Sequence, residues 1–108
     1  MEPQNIATDK PFQHNVSFRL NIEDKNVEQR LFEKAAQLKQ IVGVTSLSFG
    51  ENITPETENK HGYNYGLTVQ FTNYQALLDY QDDPTHVEFK DFIKPYFQAV
   101  IVVDYPLR

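Results

Sequence analysis

Residues 14–20 alternate, with His14, Val16, Phe18 and Leu20 on one face and Asn15, Ser17 and Arg19 on the other, which is the two-residue period of a half-buried strand. The period then lengthens. Val27, Leu31, Ala35, Leu38 and Val42 recur every three to four positions and predict an amphipathic helix, capped by Asp24 or Asn26 and stopped by a left-handed Gly43. Residues 44–49 are rich in β-branched and aromatic side chains and predict a second strand, with Thr45, Leu47 and Phe49 on one side and Gly50 at its end. Residues 51–61 hold almost no apolar anchor and predict an exposed, mobile loop. Tyr63, Tyr65, Leu67, Val69 and Phe71 then alternate against Asn64, Gly66, Thr68 and Gln70, the clearest strand pattern in the chain.

Thr72 with Gln75 three positions later has the form of a capping box for the next helix. That helix is broken at Asp83-Pro84 and restarted at once. Proline lacks the backbone donor a helix interior needs and disfavours helical geometry in the residue before it, yet it suits the first position of a new helix. Asp83 therefore reads as an N-cap and Pro84 as the first helical residue, which sets His86 in the first turn of the new segment, six positions after Tyr80. The restarted helix buries Phe89, Phe92 and Ile93 and stops near Lys94-Pro95. Residues 99–103 form a continuous apolar run, the pattern of a strand covered on both faces.

The order β-α-β-β-α-β predicts an α+β, ferredoxin-like unit: a four-stranded antiparallel sheet with two helices on one face. Helices on one side leave the other side of an apolar last strand uncovered. A second copy of the chain, packed sheet against sheet, covers it economically, since buried apolar surface contributes about 25 cal/mol per Å² before the costs of association. The expected assembly is a homodimer in the form of a dimeric α/β barrel.

With 108 residues, 40% of them hydrophobic, the chain fits one domain over residues 13–108, after a loose polar tail over residues 1–12. A net charge of −5 argues against nucleic acid and anionic membranes as partners. No cysteine is present, so disulfides and thiolate metal sites are excluded. No apolar run approaches a membrane span and no apolar signal core opens the chain, so a soluble, cytoplasmic protein is expected. His14, His61 and His86 are the three histidines, without metal-ligand spacing, and no glycine-rich phosphate cradle occurs; neither metal nor cofactor is expected.

The chemistry concentrates at the broken helix. An imidazole titrates near neutrality, which makes His86 a candidate general base, and the Tyr80 hydroxyl is a candidate donor to a developing enolate. Each also has a plain alternative: His86 as a hydrogen-bonded helix-start residue, Tyr80 as an amphipathic core aromatic. His14, sharing a strand face with Val16 and Phe18, points toward the helices, where a satisfied buried histidine is the ordinary reading. With His14, the residues Tyr65, Leu47 and Val100 complete the candidate lining of a ligand pocket.

Several local marks occur together: His14-Asn-Val-Ser-Phe-Arg, Gly43-Val44, Ser48-Phe49-Gly50-Glu51-Asn52, Gly62-Tyr63, Phe71, Leu77 and Tyr80, Pro84-Thr-His86-Val-Glu-Phe89, and Val103-Asp104-Tyr105. In this order and spacing they resemble the stress-responsive A/B barrel (Dabb) family. The resemblance implies a homodimer whose two sheets face each other with the helices outside. It implies less about activity, because many members have none established. One member is a plant polyketide cyclase that closes a ring by aldol condensation. Carried over by motif, Tyr80 and His86 fall at its acid/base pair and His14 at its first-strand histidine. Tyr65 stands where that enzyme has a third-strand histidine, and Ala35 where it has a bulky aromatic pocket wall. The resemblance thus implies a small homodimeric ligand-binding or non-catalytic protein, with a cofactor-free cyclase or lyase acting on an aromatic-sized or apolar carbonyl compound as the alternative. An open pocket of roughly 300 Å³ or more reaching both Tyr80 and His86 would favour the enzyme.

Overall fold

A computed structural model describes residues 9–108 of the chain. Four strands, β1 (Phe12–Leu20), β2 (Val44–Glu51), β3 (Tyr65–Phe71) and β4 (Phe97–Pro106), form one antiparallel sheet in the order β2-β3-β1-β4. The helices are α1 (Lys25–Gln37), a short α2 (Thr57–Lys60), α3 (Tyr74–Asp82) and α4 (Pro84–Ile93). This is the expected ferredoxin-like unit. The expected tail over residues 1–12 lies outside the described residues up to position 8, and Phe12 already opens β1.

Alternation along β1 and β3 turns Phe12, Val16, Phe18 and Leu20, with Tyr65, Leu67, Val69 and Phe71, into one apolar layer. Against it pack Leu31 and Ala35 of α1, Leu77 and Tyr80 of α3, and Phe89 and Ile93 of α4, in a single core. Asp24 caps α1, its carboxylate accepting from the Asn26 amide at 2.8 Å. The break at Pro84 also follows the sequence: Asp83 ends α3 in an extended conformation and caps α4, accepting from the Thr85 amide at 2.9 Å.

Local geometry departs from the sequence pattern at six places. After α1 the chain tightens into a 3₁₀ turn (Leu38–Gln40), which shifts the helical phase, so Ile41 is buried and Val42 is 89% exposed. Gly43 does adopt a left-handed φ of +94°, but outside the helix, where a Cβ would lie 2.6 Å from the Cβ of Ala76. The register of β2 against β3 slips between Val44 and Ser46; that irregularity sets Val44 with Leu47 and Phe49 against the core and leaves Thr45 outside, its hydroxyl donating to the Gln70 carbonyl. α3 is capped by Asn73, which accepts from the Ala76 amide at 2.9 Å, and not by Thr72, whose own amide is held by the Gly43 carbonyl. Finally, β3 starts at Tyr65, because the Asn64 side chain clamps the Leu20 backbone through both its oxygen and its nitrogen. The segment expected to be a loop carries α2, every residue of which except Lys60 is exposed, and then His61 at a φ of +51°.

β4 hydrogen-bonds only to β1 and forms an edge of the sheet. Because Val16 pairs with Val102 and Phe18 with Val100, these valines share the helix side with Asp104, while Ile101, Val103 and Tyr105 share the open side with Ser17, Asn15 and Gln13. The helices pack chiefly over the other three strands, and Val100, Ile101, Val102 and Val103 all keep large exposed areas. Within one protomer, then, neither face of the apolar run is fully covered.

Candidate functional site

The site grows from two histidines held on opposite walls of one space. His14 is buried in the middle of β1, directly across from Asp104 on β4, and its Nδ1 lies 2.5 Å from Asp104 Oδ1. A carboxylate only accepts, so Nδ1 carries the hydrogen and Nε2 is left without a partner among the described residues. His86 is buried in the first turn of α4, with Nδ1 3.3 Å from the Gln81 carbonyl. That carbonyl is available because of the broken helix. In a continuous helix it would accept from the Thr85 amide, which here donates to Asp83 instead. A carbonyl also only accepts, so the His86 ring is set in the same tautomer, with Nε2 left as the basic nitrogen.

Burial holds the His86 pKa below the ordinary imidazole value, assisted by the nearby charges of Lys90 and His14 and opposed by the Gln81 carbonyl and Asp83. His86 is therefore a neutral base at neutral pH. Tyr80 is fully buried beside it: its ring centroid is 4.3 Å from that of His86, 4.9 Å from Phe71 and 5.8 Å from His14. Burial pushes the phenol pKa up, and its hydroxyl has no hydrogen-bond partner.

Between α4 and the β1–β4 side of the sheet lies a cavity of about 200 Å³. Val16 and Phe18, Val100 and Val102, and Phe89 and Ile93 form its apolar walls, His14, His86 and Gln81 its polar groups, and Lys90 lies at its margin. Of the residues singled out in the sequence, the structure brings His14, His86 and Val100 to this cavity. Tyr80 supports both imidazoles from behind and does not line it. Tyr65 and Leu47 do not line it either. The Tyr65 ring stacks on Phe49 at 5.8 Å and its hydroxyl donates to Glu28 Oε2 at 2.6 Å, on the α1 side of the core. This hydrogen bond lowers the Glu28 pKa, while burial first and the Glu28 contact second raise that of Tyr65. Leu47 lies on β2, at the far edge of the sheet from β4. Asp104, Gln81 and Lys90 went unremarked as site residues. For Asp104 the sequence did hold a signal: an acid continuing the helix-side positions Val100 and Val102 of an otherwise apolar strand.

Among the described residues no group of three His, Cys, Asp or Glu side chains is placed to hold a metal ion, and no helix is long and apolar enough to cross a membrane.

The family model for the Stress responsive A/B Barrel Domain matches residues 12–107, all four strands and all four helices. The chain belongs to this family. Olivetolic acid cyclase of Cannabis sativa is 23% identical over 82 residues, covering 75% of this chain and 80% of the cyclase. Hydroxynitrile lyase from Passiflora edulis has a similar solved structure, with a TM-score of 0.79 at 16% identity over 93% of this chain and 95% of the lyase. A dimeric ferredoxin-like protein of unknown function from Thermobifida fusca aligns over 99% of both chains, with a TM-score of 0.80 and 17% identity. At these identities the two structural likenesses show the fold. The proteins similar to this chain thus include two enzymes and a protein of unknown function.

Proposed function

We propose that this A/B barrel protein is a small homodimer, two sheets packed face to face, that binds a small apolar or aromatic carbonyl compound in the cavity between His14 and His86 of each protomer. One observation carries the binding reading: two buried imidazoles, each anchored through Nδ1 by a fixed acceptor, border one apolar space. An apolar pocket with a few convergent polar groups is the usual form of a small-molecule site. At about 200 Å³ the space suits a single ring, and it falls short of the size and of the Tyr80 access that would favour the enzyme. The half-exposed run Val100 to Val103 supports the dimer, as does the dimeric description of a relative with the same fold. The test is a titration of the protein with acetophenone, followed through the imidazole resonances of His14 and His86. Saturable shifts in both rings are expected, and rings that stay unmoved at saturating ketone would sink the reading.

A second reading, cofactor-free proton transfer of the cyclase or lyase kind, has its own observation. His86 is neutral, and its Nδ1 is committed to Gln81, so Nε2 is the atom free to take a proton from carbon next to a carbonyl. Exchange of the acetophenone methyl hydrogens for deuterium in heavy water isolates that step. Acceleration by the protein that disappears in His86→Ala, with binding retained, supports it; exchange at the buffer rate excludes it.

A further inference from the structure

We propose that the ligand of this cavity is an anion, a carboxylate on an aromatic-sized or branched aliphatic carbonyl body, and that Lys90 is the residue that selects it. The inference rests on the binding reading above and adds the charge of the ligand to it.

Lys90 follows His86 by one helical turn, at i+4, so both side chains rise from the same face of α4. It is the one lysine among the residues lining the cavity, which include no arginine, aspartate or glutamate. It is also unpaired: the lysine ion pairs among the described residues are Lys25 with Glu28 and Lys34 with Glu88, and the carboxylate of Asp104 is engaged by His14. The charge of Lys90 is felt at His86, which places an ammonium within electrostatic reach of the imidazole that would meet the carbonyl.

The mouth repeats the pattern. A second, more open depression shares Lys90, Ile93 and Phe97 with the cavity and adds Lys94 and Asp91. Two cations against one acid make this a positive rim on a chain of net charge −5. An apolar interior leading to a positive, solvent-exposed rim fits an amphipathic anion. Its body loses water inside, while its carboxylate stays at the surface, where it meets an ammonium without the large penalty of burying a charge. A neutral ketone would leave Lys90 idle.

The test compares benzoylformate with its neutral methyl ester on the full chain, by calorimetry and by the His14 and His86 ring resonances. The acid is expected to bind about fivefold tighter than the ester at low salt, the range of an exposed ion pair, with the advantage fading as salt is raised. Lys90→Gln should bring the two affinities together and Lys90→Glu should reverse their order. Lys34→Gln, a surface cation outside the cavity, should keep the wild-type preference. Equal binding of acid and ester to the wild type, or a preference that survives Lys90→Gln, overturns the inference while leaving the cavity reading in place. Rings unmoved by either compound overturn both.

Discussion

The Tyr80 ring lies 4.3 Å from the His86 ring, centroid to centroid and tilted by 32°, and its buried hydroxyl has no hydrogen-bond partner. The two residues meet as packed aromatic surfaces and not as a hydrogen-bonded acid/base pair. A buried donor without a partner costs roughly 1–3 kcal/mol. Tyr80→Phe removes that hydroxyl and keeps the ring. The expected outcome is a protein equally stable or more stable by about 1 kcal/mol, a rise in Tm of ~4 °C at fixed protein concentration. A loss of stability in chemical denaturation would mean that the hydroxyl is satisfied in solution, by water or by ligand.

Asp104 is the anchor of the second imidazole, and its removal should be felt at the ring. Asp104→Asn keeps the size of the side chain but replaces the charged acceptor of the His14 hydrogen with an amide. The change should cost about 1 kcal/mol, because the hydrogen bond is half-buried and one partner is 33% exposed. Nitrogen NMR of the His14 ring should report a mixture of tautomers in place of one. A ring spectrum identical to the wild type would show that the strand, and not Asp104, sets the tautomer.

His86 makes stability depend on pH in a definite direction. Its folded pKa lies below the ordinary value of 6.5, so between the two values the unfolded chain binds more protons than the folded one. Stability is complete above the unfolded value and is lost as pH falls from there through the folded pKa. Urea midpoints should therefore drop on acidification below about pH 6.5, and His86→Gln should flatten that limb. Asp83, Lys90 and His14 also face this ring, so the matched comparison of the two proteins is what assigns the slope. Parallel slopes would assign the effect elsewhere.

The architecture was legible because two-residue alternation in residues 14–20 and 65–71, helical spacing from Val27 to Leu38, and the Asp83-Pro84 break are local signals that the tertiary structure obeys. The misreadings fall where a single residue changes phase. The 3₁₀ turn at Leu38–Gln40 exchanged Ile41 for Val42, and the irregularity after Val44 exchanged Val44 for Thr45. The site was legible as far as His14 and His86, each of which announces its chemistry. Asp104 continues the helix-side alternation of Val100 and Val102, but its pairing with His14 depends on strand register, and the place of Lys90 depends on which helix face meets the cavity; neither is written in a local pattern. Leu47 is carried away from the cavity by the order β2-β3-β1-β4, which puts β2 at the far edge, and Tyr65 by its stacking on Phe49 and its hydrogen bond to Glu28, although Leu67 of the same strand does line the cavity.

That register also separates two neighbouring substitutions on β4. Ile101 pairs with Ser17 on the open face and is 48% exposed; Val102 pairs with Val16 on the helix face, is 50% exposed and lines the cavity. Equal exposure with opposite facing makes them a matched pair. Ile101→Asp places a carboxylate in the sheet-to-sheet interface of the proposed dimer, and two-fold symmetry brings in two of them, each losing apolar burial and water together. Dimer affinity should fall by at least about a hundredfold, seen as monomers in sedimentation or light scattering at micromolar concentration. Val102→Asp instead places a carboxylate in the wall of the cavity that Lys90 also lines, so the dimer should persist while the preference for benzoylformate over its ester is lost. Val103→Asp, facing the open side beside Asn15, should behave as Ile101→Asp does. If the Val102 variant dissociates and the Ile101 variant does not, the partner covers the outer edge of β4 from the helix side, and the face-to-face arrangement is wrong.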